Sequence, residues 1–428
     1  MAWDFSTEPE FETKLTWMRE FVRDEIIPLE TLDLDRATFA RITAPLKEQV
    51  REQGLWAAHL PPELGGSGFG QVRLGLMHEI LGQCRFAPGI FGNQAPDAGN
   101  AELLAIGGSP EQQERWMHPL LRGELRSCFS MTEPGAGSDP TLLATTAVRD
   151  GDEYVLNGHK WFSTNGSHAD FLIVMAVTDP EAPPARRASM LIVPTGTAGV
   201  EILRDIPTLD HAPLGADLDS GHAEIRYRDV RVPAENLIGE PGDGFRLAQQ
   251  RLGPGRIHHA MRWLGQSRRA FDMLCERAVS RHTHGSALAD KQMVQEWVAM
   301  SAAEMRAARL LTLHAAWTMD QVGASRARVE IGMIKYWGAR VLHDVIDRAI
   351  QVHGSLGFSA DLPLEYMYRA ARGARMLDGP DEVHKVTVAR RILRGYTPRE
   401  VPTEHVPTRA AAAREKFAAY LDAAVADA

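Results

Sequence analysis

The period of the hydrophobic pattern changes twice along this chain, and that order restricts the fold more than any other feature. Near the start, Phe11, Leu15, Met18, Val22 and Ile26 recur every three or four residues, which places them on one face of a helix. Pro28 then ends or kinks that helix. A glycine-rich connection at 64–70 leads to a second helical block through Leu103 and Leu104 and over 112–121. From about Ser127 the apolar runs shorten. Tyr154-Val155-Leu156, residues 171–174 and residues 190–193 are brief runs between turn residues, and Asn157-Gly158 reads as a hairpin turn. From about Phe245 the helical period returns in three long segments, near 243–280, 288–322 and 326–353, as in an antiparallel bundle. This order argues against an alternating α/β fold. The expected class is α+β: an N-terminal helical domain over 1–126, a middle antiparallel β-domain over 127–240 and a C-terminal bundle over 241–397. A linker and helical tail follow over 398–428.

Nucleotide-binding signatures are missing. Gly66, Gly68 and Gly70 lack the spacing of a dinucleotide fingerprint, no Gly-Lys pair exists for a phosphate-binding loop, and no HExxH occurs. The net charge of -9 argues against a nucleic-acid partner. Cys84, Cys128 and Cys275 are far apart and form no CxxC pair, which fits a reducing compartment. The start of the chain is acidic, without the basic and apolar regions of a signal peptide. The apolar run 171–177 is too short to span a bilayer. A cytoplasmic protein without a membrane span is expected.

Six segments carry candidate chemistry. Residues 128–139, CFSMTEPGAGSD, run from an apolar strand into a Gly/Pro turn bearing hydroxyls. Such a turn is either an ordinary surface turn or one that offers backbone N–H groups to a polar ligand. Residues 157–166, NGHKWFSTNG, combine two aromatics with two hydroxyls; a strand filled with core aromatics is the plain alternative. Residues 237–245 open the C-terminal helices. Residues 280–285, SRHTHG, hold two histidines, but no Cys or carboxylate partners stand nearby and no metal is expected. Residues 351–358, QVHGSLGF, end the third long helix. Residues 377–384, LDGPDEVH, read as a helix start, with Gly379 as cap, Pro380 in the first helical position, and Asp381 and Glu382 at the positive helix end. Only Asp378 is left without a structural reason.

Taken in order, these segments resemble the acyl-CoA dehydrogenase family over roughly residues 10–395. The runs 94–100 (QAPDAGN), 254–259 (PGRIHH) and 378–384 resemble in particular the branch of family members ten and eleven and their bacterial relatives. The resemblance implies FAD as cofactor, held by Phe129, Met131, Thr132, Gly137 and Ser138 and by Phe162, Ser163 and Thr164. Whether Trp161 or Phe162 faces the flavin ring is open. Arg281, Thr283, His284, Gln351, Gly354 and Ser355 would reach the FAD of a neighbouring subunit in a homodimer or homotetramer, and Pro380 and Glu382 would also meet cofactor. Ser138, Phe245, Arg256 and Gly379 would contact an acyl-CoA substrate.

Asp378 stands where most of the family has its catalytic Glu. Gly255 stands where other members place that Glu. The implied reaction is α,β-dehydrogenation of an acyl-CoA to the 2-enoyl-CoA, with electrons passed to an electron-transfer flavoprotein. The alternatives are a flavin oxidase of the same fold, of acyl-CoA or nitroalkane type, and a non-catalytic FAD- or acyl-CoA-binding scaffold.

Overall fold

The computed structural model describes residues 5–209, 221–398 and 407–421. The chain forms two compact units, one up to Val388 and one from Ala389 onward. The N-terminal part is helical: α1 (Pro9–Phe21), α2 (Arg36–Glu52), α3 (Gln71–Leu81), α4 (Ala87–Ile90), α5 (Asp97–Gly107), α6 (Pro110–Gln112) and α7 (His118–Arg122). All five periodic residues from Phe11 to Ile26 are buried. Beyond Phe21 the helix first widens and then tightens into a short turn holding Pro28, where a missing N–H costs least.

The middle of the chain builds one sheet from β1 (Ser127–Ser130), β2 (Thr146–Asp150), β3 (Glu153–Thr164), β4 (Phe171–Val177), β5 (Ala188–Pro194), β6 (Val200–Asp205), β7 (His222–Pro233) and β8 (Leu237–Ile238). The order is β6-β7-β3-β2-β4-β5-β8, with β1 beside β4. Pairing is antiparallel except where β4 meets β1 and β2. Strand β4 explains its own unbroken apolar sequence. Phe171, Ile173, Met175 and Val177 pack on one face with Leu103, Leu104, Trp116 and Met117, while Leu172, Val174 and Ala176 pack on the other with Ile225 and Tyr227. A strand covered on both sides has no polar alternation to show.

Asn157-Gly158 is not a hairpin turn. Strand β3 runs straight through it, and the reversal lies earlier, between β2 and β3. The pair forms a bulge against β7. The Asn157 amide donates to Asp229 and its carbonyl accepts from the Asp229 N–H. A side chain at Gly158 would collide with Thr145, 2.3 Å from a built Cβ.

The C-terminal helices are α8 (Gly244–Ser280), α9 (Gln292–Val322), α10 (Arg328–His353), α11 (Leu364–Ala374) and α12 (Asp381–Leu393), with a small hairpin, β9 (His282–Thr283) and β10 (Ser286–Ala287), after α8. Helix α12 starts at Asp381, so Pro380 precedes the helix instead of opening it. Helices α3 and α8 cross backbone to backbone. A Cβ at Gly82 would lie 2.1 Å from the Arg262 carbonyl oxygen, and one at Gly265 would lie 1.9 Å from that of Glu79. This crossing holds the 251–262 stretch of α8 against the N-terminal helices. Most of the linker expected from 398 lies outside the described residues; beyond it, Pro407–Lys416 is helical.

Candidate active site

Two motifs far apart in sequence are joined by one buried ion pair. Lys160 Nζ lies 2.8 Å from Glu133 Oε1, with side-chain exposures of 0% and 6%. Lys160 also donates to the Met131 carbonyl at 2.7 Å, and Glu133 accepts from the Ala144 and Thr145 N–H groups. Burial pulls the Lys160 ammonium down to about 8 against the pull of Glu133. The pair fixes the turn that carries Met131, Thr132, Gly137 and Ser138. The Thr132 carbonyl accepts from the Trp161 N–H, which ties the turn to β3.

Beyond Lys160 the strand bulges again. Phe162 adopts a left-handed φ of 47°, a conformation that costs a bulky residue energy, and the residue is 43% exposed. Of Trp161 and Phe162, Phe162 is the one presented to the outside, with Trp161 packed edge-on against it. Thr164 Oγ1 lies 3.0 Å from His222 Nδ1. Ser163 differs from the expectation. Its hydroxyl is fully buried, 2.9 Å from Ser130 Oγ, which in turn reaches the Tyr227 hydroxyl. Only its backbone is left for a ligand, because the bulge turns Phe162 out and Ser163 in.

The second centre lies among helices. Asp378 and Gly379 both take left-handed φ values, 54° and 98°. The Asp378 carbonyl accepts from Arg256 Nε and Nη2 at 3.3 and 3.1 Å and lies 3.1 Å from His384 Nε2. Gly379 is required there, since a Cβ would lie 3.0 Å from His384 Nε2. With its carbonyl pinned, the Asp378 carboxylate borders a small cavity whose lining includes His59, Asn93, Glu102, Arg251, Gly255, His258, His259 and Arg262 beside apolar residues such as Ala95 and Leu252. His259 Nε2 is 3.5 Å from Asp378 Oδ2.

Burial works to raise the Asp378 pKa, but His259, Arg256, Arg251 and Lys335 together outweigh it and hold the carboxyl below its ordinary value. Burial lowers the pKa of His259 despite Asp378. The result is an ionised carboxylate with cations around it and, among the described residues, no guanidinium hydrogen-bonded to its oxygens.

The other expected residues sit elsewhere. Phe245 is in the first turn of α8, packed on the cluster beneath the sheet. Arg281 is exposed after α8; Thr283 lies in β9, and His284 is exposed with a φ of 46°. Gln351, Gly354 and Ser355 are exposed at the end of α10. None of these seven lines the Asp378 cavity. Pro380 is half-buried and Glu382 exposed at the start of α12.

The three domains match, in order, the family models for the acyl-CoA dehydrogenase N-terminal domain (residues 8–124), middle domain (128–228) and C-terminal domain (242–393). A Mycobacterium tuberculosis protein named Probable acyl-CoA dehydrogenase FadE2 is 45% identical over 353 residues, which cover 82% of this chain and 85% of that one. The chain belongs to the acyl-CoA dehydrogenase family.

Rat acyl-CoA dehydrogenase family member 11 is 39% identical over 390 residues, 88% of this chain and 49% of that protein. The chain thus spans about half the length of such curated relatives. The solved butyryl-CoA dehydrogenase of Megasphaera elsdenii superposes with a TM-score of 0.78 at 26% identity, covering 92% of this chain and all of the other.

In this acyl-CoA dehydrogenase family member, several cavity residues escaped sequence reasoning: His59, Asn93, Glu102, Arg251 and Arg262. A signal existed for the part on α8. Arg251, Gly255, His258, His259 and Arg262 follow helical spacing, a polar stripe on a helix whose neighbours are apolar. Glu102 had none, since it sits one residue from the apolar pair Leu103-Leu104.

Proposed function

We propose that this protein is an FAD-dependent acyl-CoA dehydrogenase in which Asp378 takes the proton α to the thioester carbonyl. The observation that carries the proposal is Asp378 itself: an ionised carboxylate, aimed by a strained backbone into a cavity, with no arginine clamping its oxygens. A purely structural aspartate would sit in an ion pair, as Asp381 does with Arg375 at 2.8 Å.

The residues of the β-domain suit a flavin. The turn at Gly135 and Gly137 has nothing within 4 Å of either position, and the N–H groups of Gly137 and Ser138 have no partner among the described residues. The exposed Phe162 ring supplies a planar apolar surface beside Thr164. Met131, Thr132, Ser138, Phe162 and Thr164 would hold the group, with the backbone of Ser163. FAD, when bound, supplies the acceptor for hydride from the substrate β-carbon. Asp378 receives the α-proton, and Arg251, Arg256 and Lys335 keep it charged until it does.

The family to which the chain belongs supports a CoA thioester as substrate, with Ser138, Phe245, Arg256 and Gly379 along its path. We assign the electrons to an electron-transfer flavoprotein, and Arg281, Thr283, His284, Gln351, Gly354 and Ser355 to the FAD of a second subunit in a homodimer or homotetramer. Among the described residues no helix is long and apolar enough to cross a membrane. Three free cysteines suit work in the cytoplasm.

The test is anaerobic addition of short, long and branched acyl-CoAs to the flavin-loaded protein. Bleaching of the flavin is expected for at least one class. Bleaching by none would sink the proposal, and rapid reoxidation by air without an electron-transfer flavoprotein would make the protein an oxidase.

A further inference from the structure

The cavity around Asp378 contains a second carboxyl. Glu102, on α5, lines it together with Asp378. Its side chain makes no hydrogen bond and no ion pair within 4 Å among the described residues. Glu102 is part-buried, and a carboxyl that loses water there without gaining a partner holds its proton more firmly than one in free solution. The nearest cation in effect is Arg251, and the same guanidinium acts on Asp378.

Arg251 is held for this position. Its Nε donates to Asn100 Oδ1 at 3.1 Å; Asn100 donates to Ser127 Oγ at 2.9 Å, and Ser127 donates to Asp97 Oδ1 at 2.6 Å. The guanidinium lies 4.1 Å from the centre of the Phe129 ring, a cation–π arrangement. Gly99 leaves it room, since a Cβ there would stand 3.1 Å from its Cζ. No carboxylate lies within ion-pair distance of it among the described residues. The chain therefore sets a fixed, unpaired cation into a cavity with two carboxyls and gives it to neither.

We propose that Glu102 is a second working carboxyl of this site, a positioning residue that acts on Asp378 through the shared guanidinium of Arg251. The inference rests on the functional reading above. While Glu102 is neutral, the field of Arg251 falls on Asp378 and keeps it ionised. Burial raises the Glu102 carboxyl to about 8. Above that pH it loses its proton, draws on the same guanidinium, and leaves Asp378 a stronger base.

The other titratable and charged groups lining the cavity are His59, and His258, His259 and Arg262 on α8; His78 on α3, Arg256 on α8, Lys335 on α10 and His384 on α12 act on these or on Asp378 from just outside it. Of these, Lys335 also falls to about 8 through burial, so a pH profile must be read against a variant specific to Glu102.

Infrared spectra of the flavin-loaded protein are recorded from pH 6 to 10, in parallel with the rate of anaerobic bleaching by acyl-CoA. The parent is expected to show a protonated-carboxyl C=O band that disappears through about pH 8 and is missing in Glu102→Gln. The bleaching profile should lose its alkaline inflection in Glu102→Gln and keep one in Glu102→Asp, which retains a carboxyl. An unchanged band in Glu102→Gln, or an inflection that survives it, overturns the proposal. If no acyl-CoA bleaches the parent, the functional reading fails instead. The infrared arm then still decides whether ionising Glu102 moves the carboxylate band assigned with Asp378→Asn; no movement overturns the inference.

Discussion

The β-domain turn and the helical cavity both bury charge, and they treat it in opposite ways. In the turn, Lys160 and Glu133 touch at 2.8 Å, and every remaining bond of the pair goes to backbone that must keep its shape. In the cavity, among the described residues, Asp378 has only a histidine at 3.5 Å, Arg251 has no carboxylate partner, and Arg256 spends its donors on a carbonyl. A charge that is fully paired fixes geometry and has nothing left for chemistry. A charge held by surrounding fields remains free to take a proton. The comparison predicts that removing one partner in the turn costs structure, while removing Asp378 costs rate and leaves structure intact.

The largest expected effect is on rate. Asp378→Asn should slow flavin bleaching by acyl-CoA by about 10²–10⁴-fold, with FAD content and thermal midpoint near those of the parent. Near-parental bleaching would show that another group is the base. Gly255 lines the same cavity with nothing within 4 Å of the position where a Cβ would begin. Gly255→Glu on top of Asp378→Asn should therefore recover part of the lost rate; no recovery would mean that a carboxylate from α8 does not reach the substrate.

The stability counterpart is Lys160→Met. It leaves Glu133 buried without its cation, at a cost of about 3–5 kcal/mol. Denaturant unfolding should show the loss, together with reduced FAD retention. Replacing Glu133 as well, by Gln, should return much of the stability, because the orphaned charge is gone. A double variant no more stable than Lys160→Met would contradict the idea that the pair is structural.

A smaller effect is expected at the end of α8. Arg281→Ala should weaken FAD binding by about one to two orders of magnitude, the value of one or two charge-assisted bonds to phosphate. It should also lower oligomer stability, as ligand bridging two subunits would require. Unchanged FAD affinity, read by flavin fluorescence titration, would make Arg281 an ordinary surface residue.

The smallest effect is on stability against acid. Burial lowers His59, His259 and His384 to about 4. The folded protein therefore binds fewer protons than the unfolded chain between that value and the ordinary 6.5. Their contribution is fully present above about pH 6.5 and declines as pH falls toward 4. Glu133, whose carboxyl is held below its usual 4.5 because Lys160 outweighs its burial, adds a loss only at still lower pH. Thermal midpoints measured from pH 7 to 5 should fall steadily, and a flat profile would show that the histidines are open to solvent.

Much of the architecture was legible because each element repeats a short-range rule. The stripe from Phe11 to Ile26, the unbroken apolar run of β4 and the three long C-terminal segments state their periods directly. Asn157-Gly158 misled for the same reason: locally it is a turn pair, and only Thr145 and Asp229, brought in by neighbouring strands, make it a bulge. The family resemblance groups Ser163 with Phe162 and Thr164, whereas the bulge sends its hydroxyl into the sheet to Ser130.

What the sequence by itself determined was the order of layers, the family and the one carboxylate, Asp378, that a helix start does not explain. These depend on neighbours along the chain, and a chain carries that information in its spacing. The tertiary structure alone decided what surrounds that carboxylate. Glu102 comes from α5, Arg251 and His259 from α8 and Lys335 from α10, and α8 itself is seated on α3 where Gly82 and Gly265 leave no side chain between the two backbones. Field strength at an acid falls with distance through space, not with separation in sequence, so only the folded chain sets the charge of Asp378.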